Sequence, residues 1–272
     1  MRPLPIGSSD CICCNDKGIN VLSLFDGMSC GQLALDRLGI KVDVYLAAEI
    51  DKYAKQITKK NYPNTVHLGD VTKLRGMDLP KIDLLMGGSP CQGFSFAGKQ
   101  LNFDDPRSAL FFEFVRLLEE TKPKYFMLEN VRMKQEYQDI ISEHLGVKPI
   151  MINSDRFIGQ NRERLYWTNI NIGELPARPN WDNQYYQWRR SYFRANKSGV
   201  CPTLTAAMGT GGNNVPLHSE DLADRVSPVE LERLQTVPDN YTEGVSNTQR
   251  YKMLGNGWTV DVIAHILKGM KL

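Results

Sequence analysis

Short apolar runs alternate with amphipathic stretches along most of this chain. The apolar runs predict β-strands over residues 19–25, 42–48, 65–68, 82–86, 125–128, 147–152 and 165–170. The amphipathic stretches predict helices over residues 30–38, 52–60, 108–120 and 134–144. Because strands and helices alternate, the pattern predicts the α/β class, with a mostly parallel sheet covered by helices.

The pattern breaks after residue 170. Residues 171–218 are rich in Pro, Gly, Asn and aromatic side chains and show no clear period. Helix-like character returns over residues 227–235, 248–254 and 258–270. The sequence therefore predicts an N-terminal tail (1–18), one large domain (19–170 with 224–272) and a small irregular lobe (171–223).

Composition narrows the class of protein. The chain has 272 residues, 42% of them hydrophobic, which is enough for one large α/β domain with a small insert. It has no apolar run of about 18 residues and no signal-peptide pattern, so we expect a soluble intracellular protein that binds no membrane. Six unevenly spread cysteines do not suggest a disulfide framework. Cys11, Cys13 and Cys14 lack a fourth ligand at zinc-like spacing, so we expect no metal and interpret them as part of a tail.

The charge pattern is compatible with nucleic acid without requiring it. The net charge is +2, but one segment, residues 181–197, combines basic and aromatic side chains. Arginines contact phosphates and aromatic rings stack on bases, so this segment is a candidate nucleic-acid surface. Taken alone, the pattern is more typical of a surface element with a half-buried aromatic side. Its basic residues are Arg189, Arg190, Arg194 and Lys197.

A glycine-bearing turn, residues 25–31, joins the first strand to the first helix. Such a turn lets the backbone approach a nucleotide-like ligand. Glu49 follows at about the 20-residue offset at which an acidic residue binds ribose hydroxyls, and Asp70 could accept from an adenine amino group. The glycines do not spell the dinucleotide fingerprint, which suits a ligand with an adenosine and no pyrophosphate, such as S-adenosylmethionine (SAM).

The same turn has two other interpretations. Its Gly-x-Ser-x-Gly spacing matches the nucleophile elbow of α/β-hydrolases, with Ser29 as nucleophile and His265 as a possible base. It could also be a tight turn without a ligand. The hydrolase interpretation is disfavoured because it places the elbow on the first strand and gives Glu49 and Asp70 no role.

Cys91 is the candidate nucleophile. It lies in a Gly/Pro loop after the predicted strand 82–86, where a thiol is exposed and conformationally fixed. A free cysteine is by default a small buried hydrophobe, but Pro90 and the polar loop make burial less favourable here. Cys30 and Cys201 have no obvious activating partner.

A carboxylate and two guanidinium groups complete the candidate chemistry. Glu129 follows the apolar strand 125–128, a partly desolvated position that suits a proton donor. Arg162 and Arg164 are two residues apart and so share one face of an extended segment. Each block alone could equally be a surface carboxylate or a surface ion pair.

The ordered series of these blocks resembles the successive motifs of the cytosine-5 DNA methyltransferases. The matching positions are residues 25–31, Glu49, Asp70, residues 89–92, 129–131, 160–164, 225–235 and 255–257. This resemblance implies a Rossmann-like SAM-dependent methyltransferase with a small target-recognition lobe. It further implies that a cytosine is flipped out of the duplex.

The resemblance also implies roles for individual residues. Cys91 would add to carbon 6, Glu129 would donate at ring N3, and Arg164 would hold the base carbonyl. Arg162 would hold a nearby phosphate. The implied SAM site consists of Phe25, Asp26, Gly27, Met28, Cys30, Glu49, Ile50, Asp70, Val71, Pro90, Leu110, Asn256 and Trp258. The implied nucleic-acid contacts are Gln92, Ser95, Lys99, Arg107, Thr203, Thr205, Gly211 and Gly212.

The chain departs from the family pattern in two places. Many bacterial members have a tryptophan where this chain has Ile50, which implies weaker stacking on the adenine. The recognition lobe is short, which implies a short target site.

The resemblance leaves the substrate and the partners open. We expect double-stranded DNA as substrate and a cytoplasmic location in a bacterium or phage host (nuclear in a eukaryote). In a restriction–modification setting we expect a cognate restriction endonuclease as partner. A tRNA cytosine methyltransferase of the same family stays open. A catalytically dead DNA-binding regulator is disfavoured because Cys91 and Glu129 are both present. The sequence does not determine the oligomeric state.

Overall fold

A seven-stranded sheet organises the protein. The computed structural model describes residues 17–89, 106–189, 191–210 and 215–272. The strands lie in the order β3-β2-β1-β4-β5-β7-β6. They are β1 (Ile19–Leu24), β2 (Val42–Ala48), β3 (Val66–His67), β4 (Leu84–Gly88), β5 (Tyr125–Val131), β6 (Ile150–Asn153) and β7 (Glu163–Thr168). The first five strands are parallel, and β7 runs antiparallel to both of its neighbours, β5 and β6. The predicted α/β class with a mostly parallel sheet is confirmed.

Helices cover both faces of this sheet. They are α1 (Cys30–Arg37), α2 (Lys52–Asn61), α3 (Pro106–Thr121), α4 (Gln135–Leu145), α5 (Pro228–Leu234), α6 (Asn247–Asn256) and α7 (Val260–Leu267). Apolar residues of α1, α2 and α7 pack on one face, and those of α3 and α4 pack on the other. A sheet covered on both faces must be apolar on both, and β1 fits this rule because Val21 packs in the first core and Leu22 in the second.

A second, three-stranded antiparallel sheet lies inside the segment predicted to be irregular. Its strands are β8 (Tyr185–Trp188), β9 (Phe193–Asn196) and β10 (Val215–Leu217), in the order β10-β8-β9. The expectation of an irregular lobe is therefore corrected in this region. Strands of three or four residues are too short for a period of two to be recognised in the sequence.

Strand β5 extends three residues beyond its predicted end. The apolar run stops at Leu128, but the ladder continues through Glu129, which pairs with Gly88 of β4 and Tyr166 of β7. Backbone pairing on both sides of β5 keeps the extended conformation where the side chains become polar. Glu129 therefore belongs to the rigid sheet rather than to a loop.

The segment between β9 and β10 meets helix α6 at a close backbone contact. A Cβ added to Gly255 of α6 would lie 2.2 Å from the carbonyl carbon of Thr205. Gly255 is buried, so the two backbones touch because this position lacks a side chain.

Within the described residues, no helix is long and apolar enough to cross a membrane.

We expect Gly255→Ala to destabilise the protein. In an open helix this change would stabilise by about 1 kcal/mol, but forcing a methyl group into a packed contact costs about 1–3 kcal/mol or more. Chemical denaturation should therefore show a net loss of unfolding free energy. Gly173→Ala is the control because a Cβ there meets nothing within 4 Å. Equal stability of the two variants would contradict the packing argument.

Candidate active site

A cavity of about 540 Å³ opens at the carboxyl edge of the parallel strands. Its volume lies in the range of small-molecule sites, roughly 300–1,000 Å³. All the described residues predicted for the SAM site line it: Phe25, Asp26, Gly27, Met28, Cys30, Glu49, Ile50, Asp70, Val71, Leu110, Asn256 and Trp258. Glu129, Arg162 and Arg164 line the same cavity. Among the described residues, the fold therefore brings those predicted for the cofactor and three of those predicted for catalysis together in one place.

The glycine turn forms one wall in a strained backbone conformation. Phe25, Gly27 and Ser29 all have positive φ, at 57°, 60° and 62°. A bulky non-glycine residue at positive φ is unfavourable, and such positions cluster at ligand sites. Ser29 is the N-cap residue of α1, so this unfavourable backbone conformation lies where the chain turns from β1 into the helix.

Glu49 is fixed by three backbone N–H groups. Its Oε2 accepts from Gly27 at 2.8 Å, and its Oε1 accepts from Ile50 at 2.8 Å and Asp51 at 2.7 Å. The carboxylate therefore joins the end of β2 to the glycine turn. Oε2 accepts only one of these bonds and keeps a further acceptor position, to which a ribose hydroxyl can donate.

The side of the cavity predicted to bind adenine is open. Ile50 is 74% exposed, and Asp70 follows β3 at the same sheet edge. The backbone N–H and hydroxyl of Thr72 hydrogen-bond to Asp70 and lower the pKa of its carboxyl group. Asp70 is thus an ionised acceptor next to an apolar surface, a combination that fits an adenine ring with an amino group.

Glu129 forms an ion pair with Arg164 at the inner end of the cavity. The Arg164 Nε lies 2.9 Å from Glu129 Oε1, and both side chains are nearly buried, at 13% and 11% exposure. The Trp258 indole Nε1 donates to the other carboxylate oxygen at 3.2 Å. Both oxygens of Glu129 therefore have a donor before any ligand binds.

Asn130 connects this carboxylate to the segment that carries Cys91. Its Nδ2 donates to the Ser89 hydroxyl at 3.1 Å, and both residues are buried. Ser89 is the last described residue before 90–105. Several predicted site residues lie outside the described residues: Pro90, Cys91, Gln92, Ser95, Lys99, Gly211 and Gly212. The same holds for Cys11, Cys13, Cys14 and Arg190. Arg107 belongs to the first turn of α3.

Arg162 differs from its predicted role. Its guanidinium is buried and donates to three backbone carbonyls: Leu204 at 3.1 Å, Gly255 at 3.1 Å and Gly257 at 2.8 Å. Burial lowers the pKa of Arg162 to about 9, so the group stays charged at neutral pH. Because its donors point into the protein, the geometry does not support the expected phosphate contact and indicates a structural role instead.

The second lobe (residues 171–223) contains two described residues that were predicted to contact nucleic acid, and their surroundings differ. Thr203 lines a polar cleft of about 270 Å³ together with Asn161 and residues of β8 and β9. Thr205 does not fit the prediction, because its hydroxyl oxygen is buried and has no hydrogen-bond partner among the described residues. The other residues of the cleft are Gln187, Arg189, Arg194, Asn196, Ser198 and Pro202.

Some cavity residues were missed by sequence reasoning. Lys252 lines the cavity and forms an ion pair of 2.7 Å with Asp51, the residue that caps α2. Lys252 lies four residues before Asn256 on α6, so helical spacing from that predicted position could have found it. Asp51 carried no comparable signal, because its contact depends on how α2 and α6 pack.

The hydrolase interpretation does not fit the structure. The Ser29 hydroxyl is fully buried and hydrogen-bonds to the Asp26 carboxylate. The His265 ring packs edge-on against Phe157 at 5.4 Å, and its Nε2 is also buried. A nucleophilic serine must reach a substrate, and this one contacts only the protein interior.

Asp26 should make a measurable contribution to the pH dependence of stability. Burial raises its pKa from 3.8 to about 6, against the lowering effect of hydrogen bonds from Ser29, Ser23 and Tyr45. Because the folded pKa lies above the unfolded value, this stabilising contribution is complete below about pH 4 and is lost as the pH rises through 6. At about 1.4 kcal/mol per pKa unit the loss is roughly 3 kcal/mol.

Denaturant unfolding of wild type and Asp26→Asn between pH 4 and 7 measures this effect. The free energy of unfolding of the wild type should fall relative to the variant as the pH rises. Asp70→Asn should show no comparable trend in this range, because the pKa of Asp70 is lowered and its contribution changes only below about pH 4. If the difference in unfolding free energy between the wild type and Asp26→Asn did not change with pH, it would contradict the raised pKa of Asp26.

Comparison with known proteins identifies the family. Residues 19–190 and 177–272 match the model of the C-5 cytosine-specific DNA methylases. The type II methyltransferase M.Bsp6I of Bacillus sp. (strain RFL6) is 31% identical over 310 residues, covering 93% of this chain and 98% of that protein. The orphan methyltransferase M.SPRI of Bacillus phage SPR is 38% identical over 165 residues, covering 56% of this chain and 38% of that protein.

Solved structures show the same fold. A DNA modification methyltransferase encoded within an E. coli prophage superposes with a TM-score of 0.69 at 21% identity, covering 93% of this chain and 98% of that one. The S. pombe Dnmt2 methyltransferase gives a TM-score of 0.67 at 18% identity, covering 93% and 100%. Since the family model and M.Bsp6I both cover nearly the whole chain, this protein belongs to the C-5 cytosine-specific DNA methylases, a family of SAM-dependent methyltransferases.

Proposed function

We propose that this protein transfers a methyl group from SAM to carbon 5 of a cytosine in double-stranded DNA. The observation that carries the proposal is the single cavity shared by Glu49 and by the Glu129–Arg164 pair. One carboxylate is held by backbone donors in the arrangement that suits a ribose, and the other is held by a guanidinium. A methyl donor and a pyrimidine ring would therefore meet between them.

The cofactor wall, which consists of the glycine turn (residues 25–31), Glu49 and Asp70, suits SAM rather than a dinucleotide. Glu49 would accept from the ribose hydroxyls, and Asp70 would accept from the adenine amino group. The glycine turn before α1 lacks the Gly-x-Gly-x-x-Gly spacing with which a helix start binds a pyrophosphate. When bound, SAM supplies a methyl group on an electrophilic sulfonium.

The base wall, which consists of Glu129 and Arg164 at the inner end of the cavity, suits a cytosine. Protonated Glu129 would donate to ring N3, and Arg164 would hydrogen-bond to the carbonyl at carbon 2. Because Glu129 lies in the paired part of β5, its backbone position is fixed to the precision that proton transfer requires. A base inside a duplex cannot reach this wall, so the cytosine must be flipped out.

Cys91 is our proposed nucleophile. The two described cysteines are poor candidates, since burial raises the pKa of Cys30 to about 12 and also raises the pKa of Cys201. Both thiols therefore stay protonated at neutral pH, and the reactive form of cysteine is the thiolate. The sequence motif around Cys91 and its position two residues after Ser89 support the choice.

The proposed reaction proceeds by addition and elimination. The Cys91 thiolate adds to carbon 6 and breaks the 5,6 double bond, while Glu129 stabilises the negative charge that develops on the ring. With SAM held by Glu49 and Asp70, carbon 5 would accept its methyl group, and the sulfonium sulfur would keep the electron pair of the bond that breaks. Loss of the carbon 5 proton to a base or water, with expulsion of the thiolate, restores the ring.

DNA would contact the second sheet. One face of the β8–β9 ribbon carries Gln187, Arg194 and Asn196, and these residues line the polar cleft with Thr203. Arginine and the amides of Asn and Gln are the side chains that hydrogen-bond most specifically to base edges. We therefore extend the predicted contact region from Thr203 to this ribbon.

The biological role follows the names of two relatives. M.Bsp6I is a type II methyltransferase and M.SPRI is an orphan methyltransferase of a phage. We propose a protective modification enzyme of a bacterium or phage, acting in the cytoplasm. A cognate endonuclease would be its partner in the first setting and absent in the second.

Bisulfite sequencing tests the proposed activity. Wild-type protein with SAM and unmethylated DNA of diverse sequence should protect cytosines in one short context. Cys91→Ala should give no protection but keep its affinity for SAM and DNA, because the change removes only the nucleophile. Cys201→Ala is the matched control and should methylate at the wild-type rate.

Two outcomes would count against the proposal. Methylation by Cys91→Ala would contradict the nucleophile. Absence of methylation by the wild type, together with measurable SAM binding, would contradict a DNA substrate and favour the tRNA alternative, which the same assay on RNA would test.

Glu129→Gln should lower the turnover number by about 10²–10⁴-fold, the usual contribution of a general acid or base. The dissociation constant for SAM should change by less than about threefold, because the lost proton faces the base wall. Single-turnover kinetics and equilibrium titration measure the two effects. Glu163→Gln, which removes a carboxylate paired with Arg132 just beyond the end of β5, is the control. Turnover of Glu129→Gln within twofold of wild type would contradict the role.

A further inference from the structure

Trp258 joins the cofactor wall to the base wall. Its side chain is 8% exposed, and its indole Nε1 lies 3.2 Å from Glu129 Oε2. Arg164 occupies the other oxygen of the same carboxylate. We propose that Trp258 is a positioning residue for Glu129, which sets the orientation of the carboxylate for the base. This inference rests on the proposed function.

The two donors act differently on the carboxylate. Arg164 is a cation and supplies charge as well as a hydrogen bond, whereas the indole N–H is a neutral donor that cannot accept or release a proton in catalysis. A carboxylate held at one oxygen can still rotate about its terminal bond. With a donor at each oxygen that rotation is restricted, so the plane of the Glu129 carboxylate is fixed.

Gly88 makes room for this contact. A Cβ at Gly88 would lie 2.9 Å from Glu129 Oε2 and 3.0 Å from Trp258 Nε1, too close to both atoms of the hydrogen bond for either to stay in place. Gly88 ends β4 and pairs directly with Glu129 across the sheet. Three elements distant in sequence are therefore shaped around one hydrogen bond, which simple packing of an aromatic ring would not require.

The backbone that carries Trp258 is itself held firmly. The carbonyl of the preceding residue, Gly257, accepts from Arg162 at 2.8 Å and from Gln235 at 3.1 Å. On the cofactor side, the backbone N–H of Trp258 donates to the Cys30 sulfur. Trp258 thus contacts the turn that would bind SAM and the carboxylate that would bind cytosine, and it transmits the position of one to the other.

Trp258→Phe removes the indole N–H and keeps an aromatic ring. We expect the turnover number to fall about tenfold to a hundredfold, the effect of a small misplacement of a catalytic group. The dissociation constant for SAM and the KM for DNA should stay within threefold, because the ring still covers the cofactor wall. Trp258→His, which can present an N–H in the same direction, should recover part of the lost turnover.

Trp167→Phe is the matched control. Trp167 is fully buried on β7, and its indole donates to the Ser142 hydroxyl at 3.0 Å, away from the cavity. The control removes an equivalent buried N–H, so it reports the cost of the substitution alone. It should fold less stably and turn over at the wild-type rate.

Gly88→Ala provides a second test that leaves the tryptophan intact. Its methyl group would separate Glu129 from Trp258, so turnover should fall at least tenfold while SAM affinity stays within threefold. This variant decides the matter if Trp258→Phe does not fold.

The outcomes separate the inference from the proposed function. Turnover within twofold of wild type in Trp258→Phe or Gly88→Ala, with an active wild type, overturns the positioning role alone. A tenfold loss of SAM affinity in Trp258→Phe with unchanged turnover also overturns it and leaves Trp258 as a cofactor contact. A wild type that methylates no DNA overturns both.

Discussion

The buried guanidinium of Arg162 ties together the three segments on which the site depends. It donates to the carbonyls of Leu204, Gly255 and Gly257, which belong to the second lobe, to α6 and to the turn before α7. Hydrogen bonds to a charged group contribute about 1.5–3 kcal/mol each, and a buried charge that loses its partners is costly. These carbonyls are consequently held in the one arrangement that satisfies the charge, and the cavity wall that includes Trp258 takes its shape from it.

The sheet supplies the second constraint. Glu129 lies between Gly88 and Tyr166 in a paired strand, so its side chain leaves the backbone at a fixed place in the cavity. Glu49 and Asp70 follow two other strands at the same edge. Parallel strands bring their carboxyl ends together, and ligands bind there in open α/β sheets. Cofactor and base chemistry can therefore share one cavity although their residues are spread over more than two hundred positions of the chain.

Much of this arrangement was predictable from the sequence. The apolar runs located all seven strands of the large sheet, and the described residues predicted for the cofactor line the cavity, although Asp51 and Lys252 were missed. The failures have physical causes. The predicted end of β5 was too early because the apolar run stops before the polar Glu129. Backbone pairing with both neighbouring strands maintains the strand at Glu129. The short strands of the second sheet are paired with one another, and three or four residues carry no readable period.

Residue types and their spacing determined the chemistry available to this protein: a thiol after a strand, carboxylates at strand ends and a glycine turn before a helix. Tertiary structure alone decided which of these groups act together. It turned Arg162 inward to three carbonyls and placed Trp258 on Glu129. The reason is that a sequence fixes local conformation through neighbours a few residues apart. The partner of a buried polar group is fixed by the packing of distant elements, since each buried donor or acceptor must find a partner wherever the fold supplies one.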